Sequence, residues 1–236
     1  MNKQIFEKGL TELNIQAEPE TIDKFARYSE LLKEWNEKMN LTAITDDDGI
    51  AIKHFLDSLL PLKVVDIENQ SMADIGTGAG FPGLPVRLMR PDTELTLIDS
   101  LNKRITFLEH VCGELELENV RCIHGRAEEL SRKELRESFD IVVSRAVANM
   151  TALSEYCLPF VKPGGRFIAL KAQDSAEEID AARPIIGSLG GKITEITDVP
   201  LPLSDITRTI IIIEKIKPTP NTFPRTAKKI KQSGKA

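Results

Sequence analysis

Four glycines stand in the stretch ADIGTGAGFPG at residues 73–83, between an apolar run that reads as a strand and one that reads as a helix. Gly76, Gly78 and Gly80 alternate, the spacing expected where a backbone turns sharply and a ligand comes close enough for a Cβ to obstruct it. Pro82 suits the first turn of the following helix, whose free N–H groups favour an anionic group. Two ligand chemistries fit these residues. Gly78, Gly80 and Gly83 match the dinucleotide fingerprint G-x-G-x-x-G, although Gly76 already ends the strand and Pro82 falls inside the motif. Asp74, Gly76, Gly78 and Gly80 instead satisfy D-x-G-x-G-x-G. Asp99 closes the next apolar run, where a carboxylate accepts both ribose hydroxyls of either kind of cofactor.

The elements that must position this loop follow from periodicity. From residue 71 short apolar runs, SMADI, ELTLID, VRCIH, FDIVVS and RFIAL, alternate with helical stretches at 82–90, 102–117, 126–136, 149–160 and 176–189. Strand then helix, five times over, implies right-handed crossovers and a parallel sheet covered on both faces. KITEITDVPL and RTIIIIEK follow with no room for a helix between them, so the sheet is expected to end in an antiparallel hairpin. The expected fold class is therefore α/β, a mostly parallel seven-stranded sheet with helices before it. In such a sheet the loop after the first strand lies at the ligand-binding edge. Residues 1–70 carry helical patterns and no strand: Ile22, Phe25, Ala26, Leu32, Trp35 and Met39 in one, Ile50, Ile52, Phe55, Leu56, Leu59 and Leu60 in another, with Thr21 and Asp48 as starts. The expected organisation is a helical extension at 1–70, the main domain at 71–216 and a flexible basic tail at 217–236.

With 236 residues, 41% hydrophobic and 28% charged, the chain is long enough for one large core. No apolar run approaches the roughly 20 residues of a membrane span. The N-terminus has no apolar signal segment, so the cytoplasm is the default location. Cys112, Cys122 and Cys157 lie in no paired or metal-like spacing, which suits reduced thiols and no metal site. The net charge of −5 is unevenly spread: residues 214–236 carry +6 and the remainder −11. A basic, Pro- and Thr-rich tail cannot order itself by burying apolar surface, and is expected to stay flexible or to order on a partner.

Later loops separate the two cofactor readings. Lys162-Pro163-Gly164-Gly165 resembles the L-x-P-G-G turn of class I methyltransferases that use S-adenosylmethionine, whose glycine pattern is D-x-G-x-G-x-G and whose seventh strand is antiparallel. The chain more closely resembles one family, the bacterial small-subunit (16S) ribosomal RNA guanine-N7 methyltransferases, once called glucose-inhibited division protein B. NLTAIT at 40–45, KHFLDSL at 53–59, DIGTGAGFPGLP at 74–85, LIDSLNKRITFL at 97–108, GRAEEL at 125–130, SRA at 144–146 and ALKAQ at 169–173 carry the resemblance in order. Thr-Phe-Pro-Arg at 222–225 is similar to the family's aromatic-Pro-Arg segment, without its downstream glycine-proline pattern.

The resemblance implies a Rossmann-like fold, S-adenosyl-L-methionine as cofactor, and cofactor contacts at Gly76, Phe81, Ala127, Glu128 and Arg145. Gly78 and Asp99 join them from the motif itself. Backbone at Ala127 and Glu128 would read the adenine edge, and Arg145 would pair with a carboxylate or an RNA phosphate. The implied partner is ribosomal RNA or the small ribosomal subunit, with no membrane and a monomer as the default state. Lys53, His54, Lys103, Arg104, Arg145 and Lys171 are the candidates to meet RNA, where phosphate contacts position without specifying sequence. The tail would add salt-dependent attraction. Absences shape the chemistry. Val143-Ser144-Arg145-Ala146 stands where methylation of an exocyclic amine commonly uses an N/D-P-P-Y/F segment, and Cys157 lies in a helical apolar pattern rather than as a nucleophile. Guanine N7 has an in-plane lone pair and no proton, so no general base is expected and no catalytic residue is assigned; approach geometry and electrostatics carry the rate. A small-molecule methyltransferase and a non-catalytic ribosome-assembly protein are the alternatives.

Overall fold

The structure, a computed structural model, describes residues 1–145 and 148–233; Ala146 of the SRA segment and the last three residues of the expected tail lie outside the described residues. Strands β1 (Ser71–Ile75), β2 (Glu94–Asp99), β3 (Val120–His124), β4 (Phe139–Arg145), β5 (Val161–Ala172), β6 (Gly191–Pro200) and β7 (Thr207–Lys215) form one sheet in the order β3-β2-β1-β4-β5-β7-β6. β1 to β5 are parallel, and β7 enters antiparallel between β5 and β6. Near-continuous burial along β1, β2 and β4 is what apolar runs covered on both faces produce. Strand order reverses between β1 and β4, which opens a crevice at their carboxyl ends.

The crossovers carry α5 (Gly83–Met89), α6 (Asn102–Glu114), α7 (Ala127–Leu130), α8 (Met150–Cys157) and α9 (Ala176–Ser188). The helix expected over 126–136 shortens to the four residues of α7. Beyond Leu130 the chain turns, burying Leu135 and aiming Arg132 and Arg136 at backbone carbonyls between Thr219 and Pro224. Lys162–Gly165, expected as a turn, is an irregularity within β5: Gly164 has φ 88° and the register jumps from Phe139↔Val161 to Ile141↔Arg166.

The N-terminal region differs in detail from its pattern. Helix α1 (Lys3–Glu12) was not legible because it buries only Phe6, Gly9 and Leu10. Helix α2 (Pro19–Met39) starts at its proline rather than at Thr21. Asp46, not Asp48, caps α3 (Asp47–Gly49) by accepting from the Gly49 amide at 2.7 Å. The chain then runs through a π-helical stretch, Ile50–Leu56, into α4 (Asp57–Leu59). Phe6, Phe25, Tyr28, Phe55 and Phe81 form a ring cluster with centroids 4.6 to 6.0 Å apart, joining α1, α2 and the π-helical stretch to the glycine loop. Residues 1–70 thus share one core with the sheet and fix the mouth of its crevice.

The described part of the expected flexible tail lies against the domain. Helix α10 (Ala227–Ser233) buries Ile230 completely, and Arg225 pairs with the buried Glu155 of α8. Composition predicts a segment unable to order itself; Arg132, Arg136 and Glu155 supply the partners it lacks, and none of them is near it in sequence.

Candidate active site

The loop after β1 is hung from β2: the Gly76 and Thr77 amides donate to the Ile98 carbonyl at 2.9 and 3.1 Å. Its glycines divide into two kinds. A Cβ at Gly78 would meet nothing within 4 Å, whereas one at Gly80 would come within 2.3 Å of the Tyr28 hydroxyl. Gly80 therefore makes room for protein, since Tyr28 passes beneath it and donates to the Ala79 carbonyl. The buried Asp74 accepts from the Thr77 hydroxyl and the Gly83 amide, both at 2.8 Å. The Leu84 amide goes to the Gly80 carbonyl at 2.9 Å. Pro82 is the N-cap residue of α5, and Asp74 fills the place at the start of that helix where an anionic ligand was expected. Burial raises the Asp74 carboxyl from 3.8 to about 6 against the opposing pull of those two donors.

Two cavities meet on this loop. One, of about 390 Å³, is lined by Gly76, Asp99, Ala127, Glu128 and Tyr156 among others. The second, of about 430 Å³, is lined by His54, Gly76, Gly78, Phe81, Asp99 and Arg145. Gly76, Asp99 and Ser100 belong to both, so the two form one cleft of a size suited to a nucleoside-bearing ligand. Asp99, only 3% exposed, accepts from the Gly78 amide and Arg104 on Oδ2, each at 3.0 Å. Its Oδ1 accepts from the Leu101 amide at 2.9 Å and keeps a lone pair for a ligand hydroxyl.

At the far end Arg145 is held by Asp57, Nη1 to Oδ2 at 2.7 Å, while Arg208 Nε reaches Oδ1 of the same carboxylate at 2.6 Å. The Arg145 guanidinium lies over the Phe81 ring, 5.1 Å from its centroid. On Phe81 the His54 ring stacks, 4.6 Å away and tilted by 12°, with its Nε2 2.8 Å from the Thr42 hydroxyl. Burial, helped by the Arg145 charge, lowers the His54 pKa from 6.5 to about 4, so the imidazole is neutral at pH 7. The unfolded chain takes up this proton first, so its contribution to stability is lost as pH falls from about 6.5 toward about 4. Asp74 acts in the opposite sense, because its raised pKa penalises the fold as pH rises from about 3.8 to about 6. A His54→Gln variant is accordingly expected to lose less stability than the parent between pH 7 and pH 5. Urea denaturation at those two pH values reads this, and parallel losses in both proteins would contradict it.

The structure brings Gly76, Gly78, Asp99, Ala127 and Glu128 around one cleft with Phe81, His54 and Arg145 at its end. Lys53 and Lys171 line an adjoining cavity of about 460 Å³ that shares His54 and Arg145. Lys171 is engaged there by Glu178 at 2.7 Å and the Ala148 carbonyl at 2.9 Å. Arg104 lines the second cavity and pairs with Asp99 at 3.0 Å, and Lys103 lines none of the three cavities; the Lys103 amine donates to the Met39 carbonyl at 3.1 Å. Sequence reasoning missed Tyr28, Thr42, Asp57, Tyr156 and Arg208. Thr42 and Asp57 lie inside NLTAIT and KHFLDSL, the segments that carry the resemblance; Tyr28 and Arg208 give no local signal. Among the described residues no group of three His, Cys, Asp or Glu side chains could hold a metal ion, and no helix is long and apolar enough to cross a membrane.

Seven strands in this order, with the last inserted antiparallel and a glycine loop at the switch point, define the class I methyltransferase fold. A SAM-dependent methyltransferase from Aquifex aeolicus superimposes with a TM-score of 0.55 at 15% identity, over 74% of this chain and 96% of that one. TYW2 from M. jannaschii, solved in complex with AdoMet, gives 0.51 at 14% identity over 86% and 79%. The family model described as GidB, rRNA small subunit methyltransferase G, matches residues 21–201. The chain is 50% identical over 225 residues to the ribosomal RNA small subunit methyltransferase G of Clostridium perfringens strain 13, covering 94% of each. It is 49% identical over 227 residues to that of Geobacillus sp. strain WCH70, covering 95% of each. The chain belongs to the family of rRNA small subunit methyltransferase G.

Proposed function

We propose that the protein transfers a methyl group from S-adenosyl-L-methionine to N7 of a guanine in small-subunit (16S) ribosomal RNA, in the cytoplasm. The observation that carries this reading is the continuous cleft, which runs from Glu128 past Asp99 and the open face of Gly78 to the Arg145–Phe81–His54 stack. The residues suit the cofactor. Asp99 Oδ1 has an acceptor position left for a ribose hydroxyl, the space beside Gly78 admits a close ligand, and Ala127 and Glu128 flank the adenine end. When bound, S-adenosylmethionine supplies an electrophilic methyl on a sulfonium sulfur. The chain's part is to orient and to exclude water. His54, Phe81 and Arg145 line the end of the cleft as one stacked, partly charged group against which a purine can pack. Neutral His54 adds no positive charge near the sulfonium. No side chain has to take a proton from N7, which fits a site built of positioning groups, and in-line alignment supplies the acceleration. Lys53 and Arg208 line the adjoining cavity and, on this reading, are assigned to phosphates of the target nucleotide.

The test is incubation of the protein with methyl-labelled S-adenosylmethionine and either naked small-subunit RNA or assembled subunits. Borohydride–aniline cleavage and primer extension then map the product. One cleavage site at a guanine, present only with enzyme and cofactor, is expected. Label on an exocyclic amine, on a ribose or on no RNA would overturn the reading.

A further inference from the structure

The last described helix stands where a solubilising tail would not. Ala227 and Lys231, one turn apart on α10, line the 390 Å³ cavity together with Glu128 and with Tyr156 of α8. Ile230 between them is fully buried, so α10 is seated and not merely near. The approach to it is fastened residue by residue. Arg136 donates to the carbonyls of Thr219 at 2.6 Å, Phe223 at 3.0 Å and Pro220 at 3.2 Å. Arg132 donates to that of Pro224. The Thr219 amide donates to Glu137 at 2.6 Å.

One ion pair then sets the helix. Arg225 grips Glu155 with Nε at 3.0 Å from both carboxylate oxygens and Nη2 at 2.6 Å from Oε2, and its Nη2 also reaches the Ser233 hydroxyl at 3.0 Å. A single guanidinium thus ties α8 to the far end of α10. Glu155 is 0% exposed, so its charge cannot be left without Arg225. A bidentate pair also fixes orientation as well as distance.

We infer that α10 is a wall of the S-adenosylmethionine site, with Lys231 contacting the adenosyl group and Arg225 acting as the positioning residue that seats it. This rests on the assignment of the cleft to that cofactor. The four-carbon stem of Lys231 covers apolar ring surface while its ammonium, at the solvent edge, donates to an adenine nitrogen or ribose oxygen.

Full-length protein is titrated calorimetrically with S-adenosylmethionine and assayed with ribosomal RNA. Lys231→Ala, an exposed position whose loss leaves the fold intact, is expected to weaken cofactor binding about fivefold, and the control Lys229→Ala on the same helix to leave it unchanged. The double variant Glu155→Gln, Arg225→Gln keeps two polar groups facing each other without burying an unpaired charge. It is expected to raise the KM for S-adenosylmethionine about tenfold, with kcat at saturating cofactor and the KM for RNA held. S-adenosylmethionine is further expected to slow tryptic cleavage after Lys228 and Lys229. Parental cofactor affinity in both variants, or unchanged cleavage, would overturn the inference while leaving the cleft assignment in place. Absence of S-adenosylmethionine binding to the parent protein would overturn both.

Discussion

Asparagine in place of Gly78 is expected to leave the fold standing and to weaken S-adenosylmethionine binding about a hundredfold, roughly 2.7 kcal/mol. Gly78 has φ 63°, a left-handed conformation that asparagine adopts more readily than other side-chain-bearing residues. A Cβ there meets nothing within 4 Å and Gly78 lines the cleft, so the new side chain starts out into the space assigned to the ligand. The Gly78 amide keeps its bond to Asp99, so the anchor of the loop on β2 is not disturbed. The cost to the fold is therefore on the order of 1 kcal/mol, the left-handed penalty alone. Gly80 shows the contrast: alanine there collides with Tyr28 and damages the protein before any ligand is involved. Calorimetric titration together with a thermal melt separates the two effects. A Gly78→Asn protein that melts and binds cofactor as the parent does would place the cofactor elsewhere.

The second large effect falls on Asp57. Alanine at this position is expected to destabilise the protein by about 3 kcal/mol and to reduce methyl transfer by at least tenfold. Removing one partner of a buried pair costs roughly 3–5 kcal/mol because the other charge is left uncompensated. Here two guanidiniums are left facing each other, but their side chains remain 13% and 25% exposed, and water relieves part of the penalty, which sets the lower end of the range. The activity loss follows from position. Without Asp57, at the start of α4, Arg145 loses the carboxylate that holds it over Phe81, and that end of the cleft loses its fixed charge. A double-mutant cycle sharpens the expectation: Asp57→Ala should cost less in an Arg208→Ala background, since one of the two repelling charges is gone. Urea denaturation of the four proteins reads the coupling. Strict additivity would mean that Arg208 and Asp57 do not share the charge.

The sheet was legible because β1 to β5 and β7 are apolar runs of strand length separated by helices or turns, and burial on both faces leaves few other arrangements for such runs. The D-x-G-x-G-x-G loop and the acid that closes the next apolar run stand at fixed offsets in the sequence, and the structure brings Gly76, Gly78 and Asp99 to one cleft. What failed to show has a common cause. Asp57 and Arg208 are 151 residues apart, and neither carries a local pattern that names the other. The seating of α10 depends on Arg132, Arg136 and Glu155, each of which reads alone as an ordinary charged helix residue. The Arg104–Asp99 pair was not legible because nothing local says that Asp99 lies within reach. Gly80 read as part of a ligand cradle because the sequence does not reveal that Tyr28 passes beneath it. Local chemistry is written in local sequence; pairings closed by the fold are not.

The central claim is that the cleft at the β1–β4 switch point holds the methyl donor with its reactive end toward Arg145, Phe81 and His54. A crystal structure of the protein soaked with S-adenosylhomocysteine tests it most directly. The expected density has the adenine between Ala127–Glu128 and α10, a ribose hydroxyl on Asp99, and the sulfur beside the glycine loop on the side of Phe81. Density ordered outside this cleft, or a ribose held by a carboxylate other than Asp99, would contradict it.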